Sequence, residues 1–221
     1  MQTRNNAVIP IYFMPGMAAS PKIFEYIELP DYFEIHYLSW IPPGHKESLP
    51  GYAKRMCERI THQNPILLGV SFGGVLVQEM AKYMVVKKIV VVSSVKLDKE
   101  LPLPMKMAKK TNAHKLLPTK WINNLDQLAL FTFGEGIKKR IALYQKYLSE
   151  RDPDYLNWAI DTLVHWEKKE ISENILHIHG QSDTVFPMSN LNEPIIKIQG
   201  GHAAIITQAK WFNENLPKLL L

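Results

Sequence analysis

Residues 65–83 read PILLGVSFGGVLVQEMAKY. Ile66, Leu67, Leu68 and Val70 make a short apolar run of the kind that fills a strand buried on both faces. Directly behind it, Val75, Leu76, Met80 and Ala81 fall at roughly helical spacing. Between strand and helix stand Gly69, Ser71, Gly73 and Gly74, the G-x-S-x-G spacing of a nucleophile elbow. The reason for that spacing is steric. A strand that reverses sharply into a helix strains the backbone of its pivot residue, and Cβ atoms two positions either side would collide. Glycine removes those atoms and leaves the pivot side chain, Ser71, exposed at the carboxyl end of the strand. The following helix points its N-terminus at the same place, where it favours developing negative charge. The alternative is a plain strand–turn–helix joint in which the glycines serve packing and Ser71 is incidental.

Outward from this stretch the same rhythm continues. Lys87 to Ser93 (KKIVVVS) is a β-branched run that predicts a fully buried strand. Upstream, Ala7 to Phe13 and Glu34 to Leu38 predict two more strands. Pro10 cannot donate to a ladder, so the first strand must bend there or have an unpaired side. Ser20 and Pro21 signal a helix start, and a helix is expected from about Leu49 to Thr61. From about Leu97 to Glu170 no strand-like run appears. Helical patterns cover Met105–His114, Trp121–Leu130, Ile137–Leu148 and Pro153–Trp166, with Asp152-Pro153 as a start signal. Strands resume at Asn174 to His179 and Pro194 to Gln199, and a C-terminal helix runs to about Leu219. Alternation of this kind predicts an α/β fold with a mostly parallel sheet of about six strands. In such a sheet the site lies at the carboxyl ends of the strands.

GVSFGG after an apolar strand resembles the α/β-hydrolase family, and the resemblance extends over nearly the whole chain. It implies a hydrolase core over 1–96 and 171–221, with a helical cap over 97–170 inserted after the strand that follows the nucleophile helix. Leu130, Phe131, Phe133, Tyr144, Tyr147, Trp158 and Trp166 would supply the cap's apolar surface, for its own packing or to roof an acyl pocket. The family places its acid in a Gly-x-x-Asp loop after a late strand, here Gly180 to Asp183, and its base on a later loop, here His202 after Gly200-Gly201. The expected catalytic residues are therefore Ser71, Asp183 and His202, in the chain order Ser, Asp, His. Asp98 is a rival for the acid, because some relatives carry it after the preceding strand. The oxyanion donors are expected to be the backbone N–H groups of Phe72 and Met17. The family usually has His-Gly before the latter; here Met14 or Pro15 stands at the histidine position, while Gly16-Met17 still matches.

Composition narrows the function further. At 221 residues, 46% hydrophobic and 21% charged, the chain suits one soluble α/β domain. Its apolar runs fall far short of the ~20 residues a membrane helix needs. Residues 1–6 lack a secretory hydrophobic segment, and Cys57 is the sole cysteine, so a cytoplasmic protein without internal disulfides is expected. Cys57, in a helical pattern, reads as a structural thiol. The net charge of +5 is uneven, with Lys99, Lys106, Lys109, Lys110, Lys115 and Lys120 against Glu100 alone. A solvated face explains this without nucleic acid, for which no aromatic stacking motif or helix-turn-helix cue is present. His177 and His179 share a strand face but have no third ligand at a recognisable spacing, so no metal is expected, and no dinucleotide or phosphate-loop motif implies a cofactor. The expected activity is a cofactor-free serine hydrolase of carboxylic esters or thioesters. Its substrate would be a small acyl compound, free or bound to a carrier protein. The alternatives are a C–C hydrolase or acyltransferase with the same residues, or a non-catalytic ligand-binding module.

Overall fold

The β-branched and apolar runs become strands β1 (Ile9–Met14), β2 (Phe33–Tyr37), β3 (Ile66–Val70), β4 (Lys88–Val92), β5 (Ile175–Gly180) and β6 (Ile196–Ile198). In the computed structural model, which describes residues 8–112 and 146–221, they form one six-stranded sheet in the order β2-β1-β3-β4-β5-β6. Every pairing is parallel. The central β3 is buried at all five positions and β4 at its last four, which is why both read as unbroken apolar runs. Pro10 is accommodated by timing: β1 pairs with β2 from Ile9, but with β3 only from Ile11. The Ile9 N–H points toward the β2 side, to the Tyr32 carbonyl. The N–H that Pro10 lacks therefore faces a side where the ladder has not begun.

Helices α1 (Leu49–Cys57) and α2 (Phe72–Met80) pack against each other and carry the chain from β2 to β3 and from β3 to β4. Right-handed crossovers in this strand order place them together on one face of the sheet. Between β4 and β5 the described residues hold α3 (Leu103–Thr111) and α4 (Pro153–His165), which contact each other, and no strand. Asp152 caps α4 as its sequence suggests, its side chain accepting the Tyr155 N–H at 2.8 Å. The helix expected over Trp121–Leu130 and most of that over Ile137–Leu148 lie outside the described residues, as do Leu130, Phe131, Phe133 and Tyr144. Among the described residues no helix is long and apolar enough to cross a membrane.

Three local expectations are corrected. The helix opened by Ser20 and Pro21 is only a 3-10 turn over Pro21–Phe24, and the Ser20 side chain makes no cap bond. Its hydrogen bonds are all of the tight i to i+3 kind, and the chain must reach β2 past Pro30. Helix α1 ends at Cys57 rather than Thr61, because Arg59 and Ile60 already bond three residues back and Asn64, with φ 50°, turns the chain into β3. The C-terminal helix is broken into α5 (Ala204–Thr207) and α6 (Ala209–Leu220) at Gln208.

Candidate active site

In a sheet of this order the chain leaves β1 for one neighbour and later fills the other side, so the loops after β1 and β3 diverge and leave a crevice at their carboxyl ends. Ser71 stands there, immediately after β3, with φ 53° and ψ −122°. This is a strained conformation for any residue with a Cβ. Glycines on either side permit the close packing around it. A Cβ on Gly69 would lie 2.2 Å from the Gly73 carbonyl oxygen, and one on Gly73 would lie 2.3 Å from the Pro15 carbonyl oxygen. The pivot's own backbone is held as well: Ser71 N–H donates to the Val92 carbonyl at 2.9 Å, and Ser94 Oγ donates to the Ser71 carbonyl at 2.7 Å.

The loop after β1 lies against this pivot. A Cβ on Gly16 would sit 3.3 Å from Ser71 Cβ. Gly16 to Ala19 form a tight turn closed by the Ala19 N–H on the Gly16 carbonyl, with Ala18 at φ 63°. The Trp40 indole N–H also donates to the Gly16 carbonyl, at 2.9 Å. Two further backbone bonds strap the loop to residues ahead of α4: Ser20 N–H to the Tyr147 carbonyl, and Glu150 N–H to the Ala18 carbonyl. Met17 is thereby fixed beside the pivot, and Phe72 is the first residue of α2, where helix N–H groups have no partner within the helix. Met14 closes β1 and Pro15 follows it, so no imidazole occupies this loop.

His202 reaches the same crevice from the loop after β6. Its Nε2 accepts from Ser71 Oγ at 2.9 Å, and its Nδ1 donates to Asp183 Oδ2 at 2.9 Å. Asp183 follows β5 and is 4% exposed, His202 8%. The other carboxylate oxygen accepts from the Val185 and Phe186 N–H groups at 2.8 and 3.0 Å. Burial alone would raise this carboxyl, but the electrostatic pull of His202 and the hydrogen bonds from His179, His202 and Phe186 outweigh it and hold it well below the usual carboxylate range. Asp98 does not take part; it pairs with Lys169.

The polar chain continues inward. His179 Nε2 lies 2.9 Å from the Phe186 carbonyl and 3.2 Å from Asp183 Oδ2. Both are acceptors, so a neutral His179 carries its proton on Nε2. Its Nδ1 then accepts from His177 Nε2 at 3.1 Å. Burial, with His179 and Lys96 nearby, pushes His177 down to about 3, and it stays neutral. The two imidazoles thus bond to each other, and His179 alone reaches Asp183. His179, which the sequence offers only as a strand-face histidine, is a direct support of Asp183. The one available signal was its place four residues before the acid.

Of the aromatic residues expected above the site, the three described are committed to packing. The Trp158 ring lies 4.4 Å from that of Tyr52 and 5.9 Å from that of Phe72, and its N–H donates to the Glu47 carbonyl. Trp166 donates to Glu79, and Tyr147 bonds Glu25. Of the lysines, Lys109 pairs with Glu167 and Lys106 bonds the Lys99 carbonyl, while Lys115 and Lys120 lie outside the described residues. Cys57 donates to the Met80 carbonyl at 3.5 Å, and burial pushes its thiol up to about 11.

No protein-family model and no curated protein matches the sequence. Solved structures do resemble the fold. A hydrolase from Pseudomonas aeruginosa superposes with a TM-score of 0.75 at 14% identity, covering 96% of this chain and 90% of that one. A thermophilic esterase from Thermogutta terrifontis gives 0.74 at 14% identity over 96% and 89%. A lipase-esterase related protein from Clostridium acetobutylicum gives 0.69 at 20% identity over 98% and 96%. The chain has the α/β-hydrolase fold.

Proposed function

We propose that the chain is a serine hydrolase that cleaves carboxylic esters or thioesters through an acyl-enzyme. The observation that carries this reading is the continuous line Ser71 Oγ, His202 Nε2, His202 Nδ1, Asp183 Oδ2, with both links at 2.9 Å. A serine hydroxyl is a poor nucleophile until a base takes its proton, and the base must be held in one tautomer. Ser71 attacks the acyl carbon as its proton passes to His202 Nε2. Asp183, already ionised, stabilises the imidazolium without being protonated. The oxyanion receives the N–H groups of Met17 and Phe72, a contribution of about 3 kcal/mol per donor. Collapse expels the alcohol or thiol, which leaves with the proton from His202. Water then attacks the acyl-Ser71 carbonyl, His202 takes its proton, and the acid departs as Ser71 is reprotonated. The names of the structural neighbours, esterase and lipase-esterase related protein, agree with this chemistry.

The test is direct. Purified protein should be labelled by a fluorophosphonate and should hydrolyse p-nitrophenyl acetate to octanoate, and both properties should vanish in Ser71→Ala. Labelling without ester turnover would favour C–C cleavage or acyl transfer to another acceptor. An unlabelled wild type would favour a ligand-binding module. A carrier-bound or phosphate-bearing substrate is the companion proposal, supported by Lys99, Lys106, Lys109 and Lys110 near α3. Neutralising Lys106, Lys109 and Lys110 should raise KM for a carrier-bound ester and leave that for p-nitrophenyl acetate unchanged.

A further inference from the structure

A second cluster of chemistry-bearing side chains lies at the β2 edge of the sheet. Glu34 and His36 are two apart on β2 and so share a face, and His62 comes from the loop between α1 and β3. His36 Nε2 lies 3.1 Å from Glu34 Oε1, and His62 Nε2 lies 3.7 Å from Glu34 Oε2. One donor atom from each of the three falls within 4.8 Å of the others. The two imidazole centroids are 4.7 Å apart.

The rings are held by neighbours that do not compete for these atoms. Tyr12, opposite His36 in the β1–β2 register, stacks on it at 4.7 Å and 18°. The Tyr12 hydroxyl lies 2.8 Å from His62 Nδ1, and it also accepts the Thr61 N–H at 3.2 Å. In the tautomer that donates from Nδ1 to that hydroxyl, His62 keeps its Nε2 lone pair for a metal. An outer-shell bond on one ring nitrogen that frees the other is what a metal-binding histidine requires. His36 Nε2 is shielded from solvent yet makes no hydrogen bond, since its approach to Glu34 lacks the alignment for one.

We infer that Glu34, His36 and His62 bind a divalent transition-metal cation of the zinc type. Two imidazoles and one carboxylate form a borderline donor set that suits Zn²⁺ and leaves a fourth position open. Of the three, His36 also lines a recess of about 420 Å³, together with Tyr12, Thr61 and Arg59. Bonds of about 2.0–2.1 Å require the donors to draw closer than they stand. The Glu34 side chain, 49% exposed, has the freedom to do so. A bound ion would tie edge strand β2 to the loop that feeds β3. The inference stands apart from the hydrolase reading, because none of its residues belongs to the Ser71 crevice.

Chelator-stripped full-length protein titrated with Zn²⁺ by calorimetry should bind one ion per chain, and Co²⁺ should give the absorption bands of a low-coordinate site. Zn²⁺ should raise the thermal midpoint of wild type and Ser71→Ala alike. Glu34→Gln and His62→Gln should each weaken Zn²⁺ at least about tenfold, and Tyr12→Phe, which removes the hydroxyl bonded to His62 Nδ1 and to the Thr61 N–H, should weaken it by about 10–100-fold. Glu34 is exposed, so Glu34→Gln should fold, and its circular dichroism checks that. No saturable ion would overturn the inference. Equal binding by wild type, Glu34→Gln and His62→Gln would overturn it as well, and so would an ion lost on His202→Ala but not on Glu34→Gln.

Discussion

The two sides of the Ser71–His202 contact are built by different forces. On the serine side the backbone is confined by what it cannot fit: Gly69 and Gly73 have no room for a Cβ beside Ser71, which stands at φ 53°. On the histidine side the geometry is set by what is bonded. Asp183 accepts from Val185, Phe186 and His202, and lies 3.2 Å from His179 Nε2. Steric confinement resists any added atom and tolerates changes of polarity. A polar network tolerates small shifts and fails when one partner is removed.

Substitutions on each side should separate these behaviours. The largest effect is expected from Asp183→Asn, which keeps the volume and loses the charge. With His202 no longer held in its working tautomer, kcat for p-nitrophenyl esters should fall by about 10⁴-fold, while circular dichroism stays unchanged. Next comes Gly73→Ala. Its methyl would meet the Pro15 and Met14 carbonyl oxygens at 2.3 and 2.6 Å, both backbone. The elbow and the Met17 loop must part, and a displacement of that order costs about 10²-fold in kcat. Activity within a factor of two of wild type would show that the serine side is not sterically set.

His179→Leu acts on the other side without touching the serine line. It leaves His177 and the Phe186 carbonyl unpaired at a cost of about 1–3 kcal/mol in denaturant unfolding. It also removes one of the bonds that depress Asp183. A carboxyl depressed on folding adds stability that is present above its ordinary pKa and lost as pH falls through its folded value. In His179→Leu the Asp183 contribution should be smaller and its loss complete at a higher pH than in wild type, and identical profiles would remove His179 from the network. The smallest change is Ser94→Ala, which deletes only the hydroxyl bonded to the Ser71 carbonyl. It should cost about 1 kcal/mol and little activity, since the glycines still hold the pivot.

The same division explains what could be read from the sequence. Steric confinement is local and writes itself in glycine, so Gly69, Ser71 and Gly73 announce the elbow within a few residues. Buried parallel strands announce themselves as β-branched runs for an equally local reason, and the six strands fall within two or three residues of their expected bounds. Asp183 and His202 were legible only through the family resemblance, which expects an Asp and a His in glycine-containing loops after the late strands. His179 was not, since a buried imidazole on a strand looks the same whether it supports an acid or fills the core. Glu34, His36 and His62 were illegible for a related reason: their meeting depends on the Tyr12–His36 register and on the early end of α1. Ser20 misled because a cap residue names a helix start and not a helix length.

The two backbone bonds that join residues 147 and 150 to Ser20 and Ala18 have a mechanical consequence. The stretch leading into α4 and the turn presenting Met17 share fasteners. Breaking either bond would free the turn at one of its two anchor points on that stretch. A shift at either end of these two bonds is therefore felt at the other.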